Sequence, residues 1–125
     1  MRIDELLAQA RAGLTRLTAM RAFTLMRSGE AVVVDIREEE RRARDGRIAG
    51  AVEIDRNVLE WRCAPESEWR DARVSDPARL VAVICNEGYQ SSLAAANLQR
   101  LGLPLATDVD GGFQAWRAAG LPVER

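Results

Sequence analysis

Histidine is missing from all 125 residues of this chain. Its absence removes Ser-His-Asp triads, Cys-His dyads and every metal site built on imidazole, so any chemistry must run without an imidazole base. Cysteine occurs only twice. A chain of this length buries about two thirds of the surface that its unfolded form exposes, so neither thiol is needed as a structural staple. No apolar run approaches bilayer-spanning length. The start, "MRIDELLAQARAGLTRL", interleaves charges with its apolar residues and has no continuous signal-peptide core. A reducing, cytoplasmic setting without membrane contact is therefore the expectation. Nor is there an excess of positive charge: the net charge is −1, the pI is about 5.6, and the arginines are spread along the chain. That distribution lacks the basic footprint of a nucleic-acid binder. Internal repeats, low-complexity tracts and Gly/Ser linkers are also absent.

What remains is the balance of a soluble globular protein, 47% apolar and 30% charged, of a size that fits one domain. In "IDELLAQARAGL", Leu6, Leu7, Ala10 and Leu14 recur at helical spacing, with Gly13 as a breaker. Thr18 is placed to cap a second helix that Gly29 closes. "AVVVDI" is a β-branched run with no polar alternation, as expected of a strand buried on both faces. The charged segment from Arg37 to Arg44 carries Glu-to-Arg pairs at helical offsets and reads as a solvated helix. A short strand follows two glycines in "GRIAGAVEI", and "RNVLEWR" has room for one or two helical turns. The region from Glu66 to Asp76 is compatible with either helix or irregular chain. "LVAVIC" is a second buried strand. "SSLAAANLQRLG" is the clearest helix, opened by Ser91 or Ser92 and closed by Gly102. A short strand in "ATDVDGG" and a helix in "FQAWRAAG" complete the chain.

Strands alternating with helices predict an α/β fold, a doubly wound, mainly parallel sheet with helices on both faces. Sites in such folds lie beyond the carboxyl ends of the strands, and Cys85 stands at such an end. A free cysteine that finishes an apolar strand is by itself as well explained by burial as by reactivity. The six residues from Cys85 to Gln90, however, must turn the chain between strand and helix. Their N–H groups then tend to converge, and such a nest at the positive end of a helix attracts anions and favours thiolate over thiol. Ser91 and Ser92 are candidates both for capping the helix and for donating to a bound oxyanion.

Four pieces of the chain together resemble the single-domain rhodanese-like sulfurtransferases: "VVVDIR" (Val32 to Arg37), "GRIAGAVEI" (Gly46 to Ile54), "CNEGYQSS" (Cys85 to Ser92) and "GGFQAWRAAGLPV" (Gly111 to Val123). The resemblance spans about Thr18 to Val123. It divides the chain into an N-terminal helical extension, residues 1–17, and a rhodanese-like domain, residues 18–125. It implies that Cys85 carries sulfur as a persulfide. The thiolate takes the outer sulfur of a donor such as thiosulfate, sulfite leaves, and a thiophilic acceptor such as cyanide, a thiol or a protein thiol removes the sulfur. Neither a metal nor an organic cofactor is implied, and no proton needs an imidazole. The amides of Asn86, Glu87, Gly88, Tyr89, Gln90 and Ser91 would form the anion cradle, with Tyr89 at its rim. Asp35 and Arg37 match the family's Asp-x-Arg element and read as a brace at the strand end.

Two departures stand out. Arg47 and Ala49 replace the usual His and Pro of the "GRIAGA" segment, and Glu87 occupies a loop in which many thiosulfate-using members carry a cation. Charges of like sign ~4 Å apart repel by about 1 kcal/mol in water and about 4 at a surface-like dielectric, so an inward-facing Glu87 would oppose a dianionic donor. Arg56 and Arg62 are the candidates for supplying compensating positive charge. Cys63 is either a tolerated thiol or a resolving partner for Cys85. Trp61, Trp69 and Trp116 read as core or edge packing. Two other functions compete with sulfur transfer. A phosphatase or arsenate reductase of the kind found among relatives in the same fold uses a Cys-x5-Arg loop whose Arg clamps the oxyanion, but the sixth position after Cys85 is Ser91 and no arginine intervenes before Arg100. A non-catalytic or single-turnover sulfur-carrier module would have the same sequence as an enzyme.

Overall fold

The computed structural model describes all 125 residues. Four short strands, β1 (Ala31–Asp35), β2 (Val52–Glu53), β3 (Leu80–Ile84) and β4 (Thr107–Asp108), form one sheet in the order β2-β1-β3-β4. Every pairing is parallel, with Val34 opposite Val52, Asp35 opposite Ile84, and Val83 opposite Asp108. Six helices surround the sheet: α1 (Ile3–Ala12), α2 (Ala19–Arg27), α3 (Glu39–Asp45), α4 (Leu59–Cys63), α5 (Gln90–Arg100) and α6 (Gly112–Ala118); of these α3, α4 and α5 lie in the crossovers that parallel neighbours require. A single 3-10 turn, Arg56–Val58, leads into α4.

The period of two along the strands divides the core into two layers. On one face Val34, Ile36, Val81, Val83 and Cys85 meet Leu59 and Cys63 of α4 and Ala94, Ala95 and Leu98 of α5. On the other, Val33, Ala82 and Ile84 meet Ala19 and Ala22 of α2 and Phe113 and Trp116 of α6. This two-sided burial explains why the strands carry no polar alternation. α1 lies outside both layers, against α5, and buries none of its residues completely.

Local signals match the structure closely at several ends. The Thr18 side chain accepts a hydrogen bond from the Arg21 N–H and starts α2. The region from Glu66 to Asp76 is a succession of turns without a helix. Three expectations are corrected. The charged helix is not wholly solvated: Arg42 is buried and donates to the Arg37 carbonyl, because α3 closes over the end of β1. Of the three tryptophans only Trp116 is core; Trp61 and Trp69 are 58% and 62% exposed, since α4 and the turns after it bury their opposite side. α5 begins at Gln90, one residue before the serines, and neither serine caps it.

Candidate active site

The strand order reverses between β1 and β3, and the crevice at such a switch point lies beyond the strands' carboxyl ends. Cys85 follows directly on Ile84, which pairs with Asp35, so its sulfur stands at that crevice, 7% exposed. The Gly88 N–H donates to Sγ at 3.1 Å and the Ser91 N–H at 3.3 Å. Ser91 lies in the first turn of α5, whose leading amides have no partner within the helix. No side chain at Tyr89 caps them, and one turns instead to the sulfur. The N–H groups of Asn86, Glu87, Tyr89 and Gln90 have no acceptor within the protein. The loop thus presents a set of donors to Cys85 and to whatever anion reaches it.

The tightness of the loop depends on two glycines. Gly88 has φ +89°, and a Cβ there would stand 2.8 Å from the Gly111 nitrogen. Gly112 has φ +58°, and a Cβ there would come within 2.5 Å of the Cys85 carbonyl oxygen. With no side chain in the way, the start of α6 docks onto the loop. The Phe113 N–H donates to the Cys85 carbonyl at 2.8 Å, the Gln114 N–H donates to that of Asn86 at 3.1 Å, and the Gln114 side chain donates to the Asn86 side-chain oxygen at 3.0 Å.

Behind the loop lies a buried polar cluster that local sequence patterns do not reveal. Ser91 and Ser92 donate their hydroxyl protons to Asp108 Oδ2 at 2.8 and 2.7 Å, so their hydroxyls are committed to a carboxylate rather than to the cradle. Asp108 ends β4, next to β3, and is fully buried. Arg16 grips it through Nε at 2.9 Å and Nη2 at 3.2 Å. Burial opposes the Arg16 charge, but the hydrogen bond and charge of Asp108, then Asp110 and the Cys85 sulfur, hold its pKa above the ordinary value. Arg11 and Arg16 both donate to the Gly88 carbonyl, at 2.8 and 3.0 Å.

The residues singled out in the sequence separate into three groups. Cys85, Asn86, Gly88, Tyr89, Gln90 and Ser91 come together in one loop, with Glu87 exposed and Tyr89, 60% exposed, at its rim. Arg56 reaches this loop through Gln90 at 3.3 Å, but its charge is taken by Glu60 at 2.8 Å. Burial alone would raise the Glu60 carboxyl, whereas hydrogen bonds from Asn97 and Arg56 pull it below its usual value. Arg62 is not brought to the loop; it donates to the Trp69 carbonyl at 3.2 Å. Asp35 and Arg37 form a fully buried pair at 2.8 Å. Arg37 also donates to the Gly46 carbonyl at 2.9 Å and lies 3.7 Å from the centre of the Phe113 ring. The brace therefore supports the same stretch of α6 that holds the Cys85 carbonyl.

Cys63 sits in the hydrophobic layer under α5, fully buried. Burial, with smaller contributions from the charges of Asp71 and Glu60, pushes its thiol up to about 12. The unfolded chain releases this proton from about 9 upward. Stability is thus unaffected below pH 9 and is lost as pH rises toward 12, at about 1.4 kcal/mol per pH unit. We expect Cys63→Ala to flatten the fall in denaturation midpoint over that interval. An unchanged slope would mean that the proton is held elsewhere.

Comparison with known proteins places this geometry. The family model described as the rhodanese-like domain matches residues 20–119. The chain is 32% identical over 110 residues to the thiosulfate sulfurtransferase GlpE of Actinobacillus succinogenes, covering 88% of this chain and 90% of the relative. It is 35% identical over 103 residues to the thiosulfate sulfurtransferase GlpE of Pseudomonas putida, covering 82% and 84%. Among solved structures, a Rhodopseudomonas palustris protein of unknown function, described as a possible tyrosine phosphatase, is 34% identical and superposes with a TM-score of 0.90 over 99% of this chain and 95% of its own.

Proposed function

The chain belongs to the rhodanese-like domain family, and from that premise we propose that it is a sulfurtransferase working through a persulfide on Cys85. The Cys85 thiolate attacks the outer sulfur of thiosulfate or a related sulfane donor. A new S–S bond forms, the donor's S–S bond breaks, and sulfite departs with the bonding electrons. Cyanide or an acceptor thiolate then attacks the outer sulfur of the persulfide, and Cys85 leaves as thiolate. No proton is abstracted in either step, which suits a chain without histidine. The observation that carries this reading is the pair of amides on Sγ, from Gly88 and Ser91. Donors fixed in place before reaction stabilise negative charge on sulfur without reorganisation. A cytoplasmic location and a small-molecule donor complete the reading.

Incubation with thiosulfate followed by intact-mass measurement tests it: we expect a gain of one sulfur, removed again by cyanide with release of thiocyanate. Repeated turnover identifies an enzyme, whereas loading that stops after one equivalent identifies a carrier. Failure to gain sulfur from thiosulfate or polysulfide would end the proposal.

Phosphoester hydrolysis is not supported by the loop. The position that would hold the clamping arginine is Ser91, with its hydroxyl bonded to Asp108, and the nearby guanidinium groups of Arg11 and Arg16 are bound to a carbonyl on the loop's far side. An aryl phosphate should show no turnover dependent on Cys85. Hydrolysis lost in Cys85→Ser would reverse this assignment.

A further inference from the structure

We propose that Arg11 and Arg16, from the N-terminal segment outside the matched residues 20–119, are positioning residues for the Cys85 loop. This rests on the sulfur-transfer reading for its function but not for its test. The Gly88 carbonyl receives two guanidinium donors, Arg11 Nη2 at 2.8 Å and Arg16 Nη2 at 3.0 Å, while the single proton of the nearby Ser92 hydroxyl goes to Asp108. A carbonyl oxygen has two lone pairs, so two charged donors occupy both and hold it firmly. The Gly88–Tyr89 peptide is trans, hence the Tyr89 N–H must point the opposite way, away from the arginines. That N–H has no acceptor in the protein. Pinning one oxygen therefore sets the direction of an amide on the cradle side and steadies Gly88, whose own N–H is bonded to the sulfur.

The two arginines differ in charge balance. Arg16 is neutralised by Asp108, with Asp110 at 3.2 Å. Arg11 forms no ion pair; it donates to Ser92 Oγ and the Gly88 carbonyl and lies 5.6 Å from the Tyr89 ring centre. Arg11 is thus the uncompensated positive charge against a loop whose own sequence contains only Glu87 as a charge. The chain supplies from its N-terminal segment the cation that the loop lacks.

The test follows alkylation of the Cys85 peptide by neutral iodoacetamide and anionic iodoacetate, alongside thiocyanate formation. In the double variant Arg11→Gln, Arg16→Gln, we expect alkylation by iodoacetamide to slow about tenfold, the worth of one or two lost hydrogen bonds in the loop. In Arg11→Gln alone the iodoacetate-to-iodoacetamide rate ratio should fall about threefold, as expected for one charge removed several ångströms away at high dielectric. Arg11→Lys should restore the ratio. A purely structural role would lower the melting temperature without moving the ratio or its rescue. Should the double variant fail to fold, Arg11→Gln alone carries the same charge test. Rates within twofold of wild type and an unchanged ratio would overturn the proposal. A wild type that takes up no sulfur, combined with the expected alkylation changes, would leave the positioning role standing and remove the sulfur-transfer reading.

Discussion

Cys85→Ser is expected to gain no sulfur from thiosulfate and to lose at least about a thousandfold in thiocyanate formation, the scale on which enzymes lose activity when a covalent nucleophile is removed. The serine hydroxyl would occupy the same place at the end of β3 and offer the Gly88 and Ser91 amides an oxygen acceptor. The fold should therefore persist, with an unchanged circular dichroism spectrum. What disappears is nucleophilicity: a hydroxyl needs a base to remove its proton, and a chain without histidine offers no imidazole for that role. Cys63→Ser should still load sulfur, because Cys63 is sealed in the core and its thiol is kept protonated by burial. Sulfur gained by Cys85→Ser, or lost from Cys63→Ser while its fold is retained, would place the chemistry on the other thiol.

Asp108→Ala is expected to be the most damaging change outside the nucleophile. The carboxylate is fully buried and accepts from Arg16, Ser91 and Ser92 at once. Its removal leaves a partly buried guanidinium with only the exposed Asp110 as counter-charge and two buried hydroxyls without their carboxylate acceptor. Breaking a buried pair from one side typically costs about 3–5 kcal/mol. Both serines stand in the first turn of α5, whose amides face Cys85, so the loop should loosen together with the loss of stability. We expect a large drop in the urea midpoint and a fall in kcat/KM greater than unfolding explains at the assay temperature. Asp108→Asn should recover part of the stability by keeping an acceptor for the serines, but not the charge that balances Arg16. A urea midpoint within experimental error of wild type would show that the cluster contributes little.

The contrast between Arg56 and Arg16 shows how far local reading reaches. Arg56, near the loop in the chain's expected order, is placed beside Gln90, yet an i,i+4 pair with Glu60 takes its charge. Arg16, separated from Asp108 by 92 positions, makes the closer contact with the site. The serines illustrate the same limit. Their position after a loop and before an apolar helix resembles a cap, and only the presence of β4 alongside β3 brings a carboxylate to their hydroxyls. The one local hint was an aspartate at the carboxyl end of a short strand in "TDVDGG".

Taken alone, the order of residues determined the alternation of strands and helices, the cysteine at a strand end, and a loop too short for anything but converging amides. These are consequences of periodicity, of glycine placement and of chain length between neighbouring elements, and all act over a few residues. Only the folded sheet decided that Asp108, Arg16 and Arg11 would gather behind that loop. Burial of charge leaves no periodic trace along a chain; it becomes favourable only when partners from distant elements arrive together and satisfy one another.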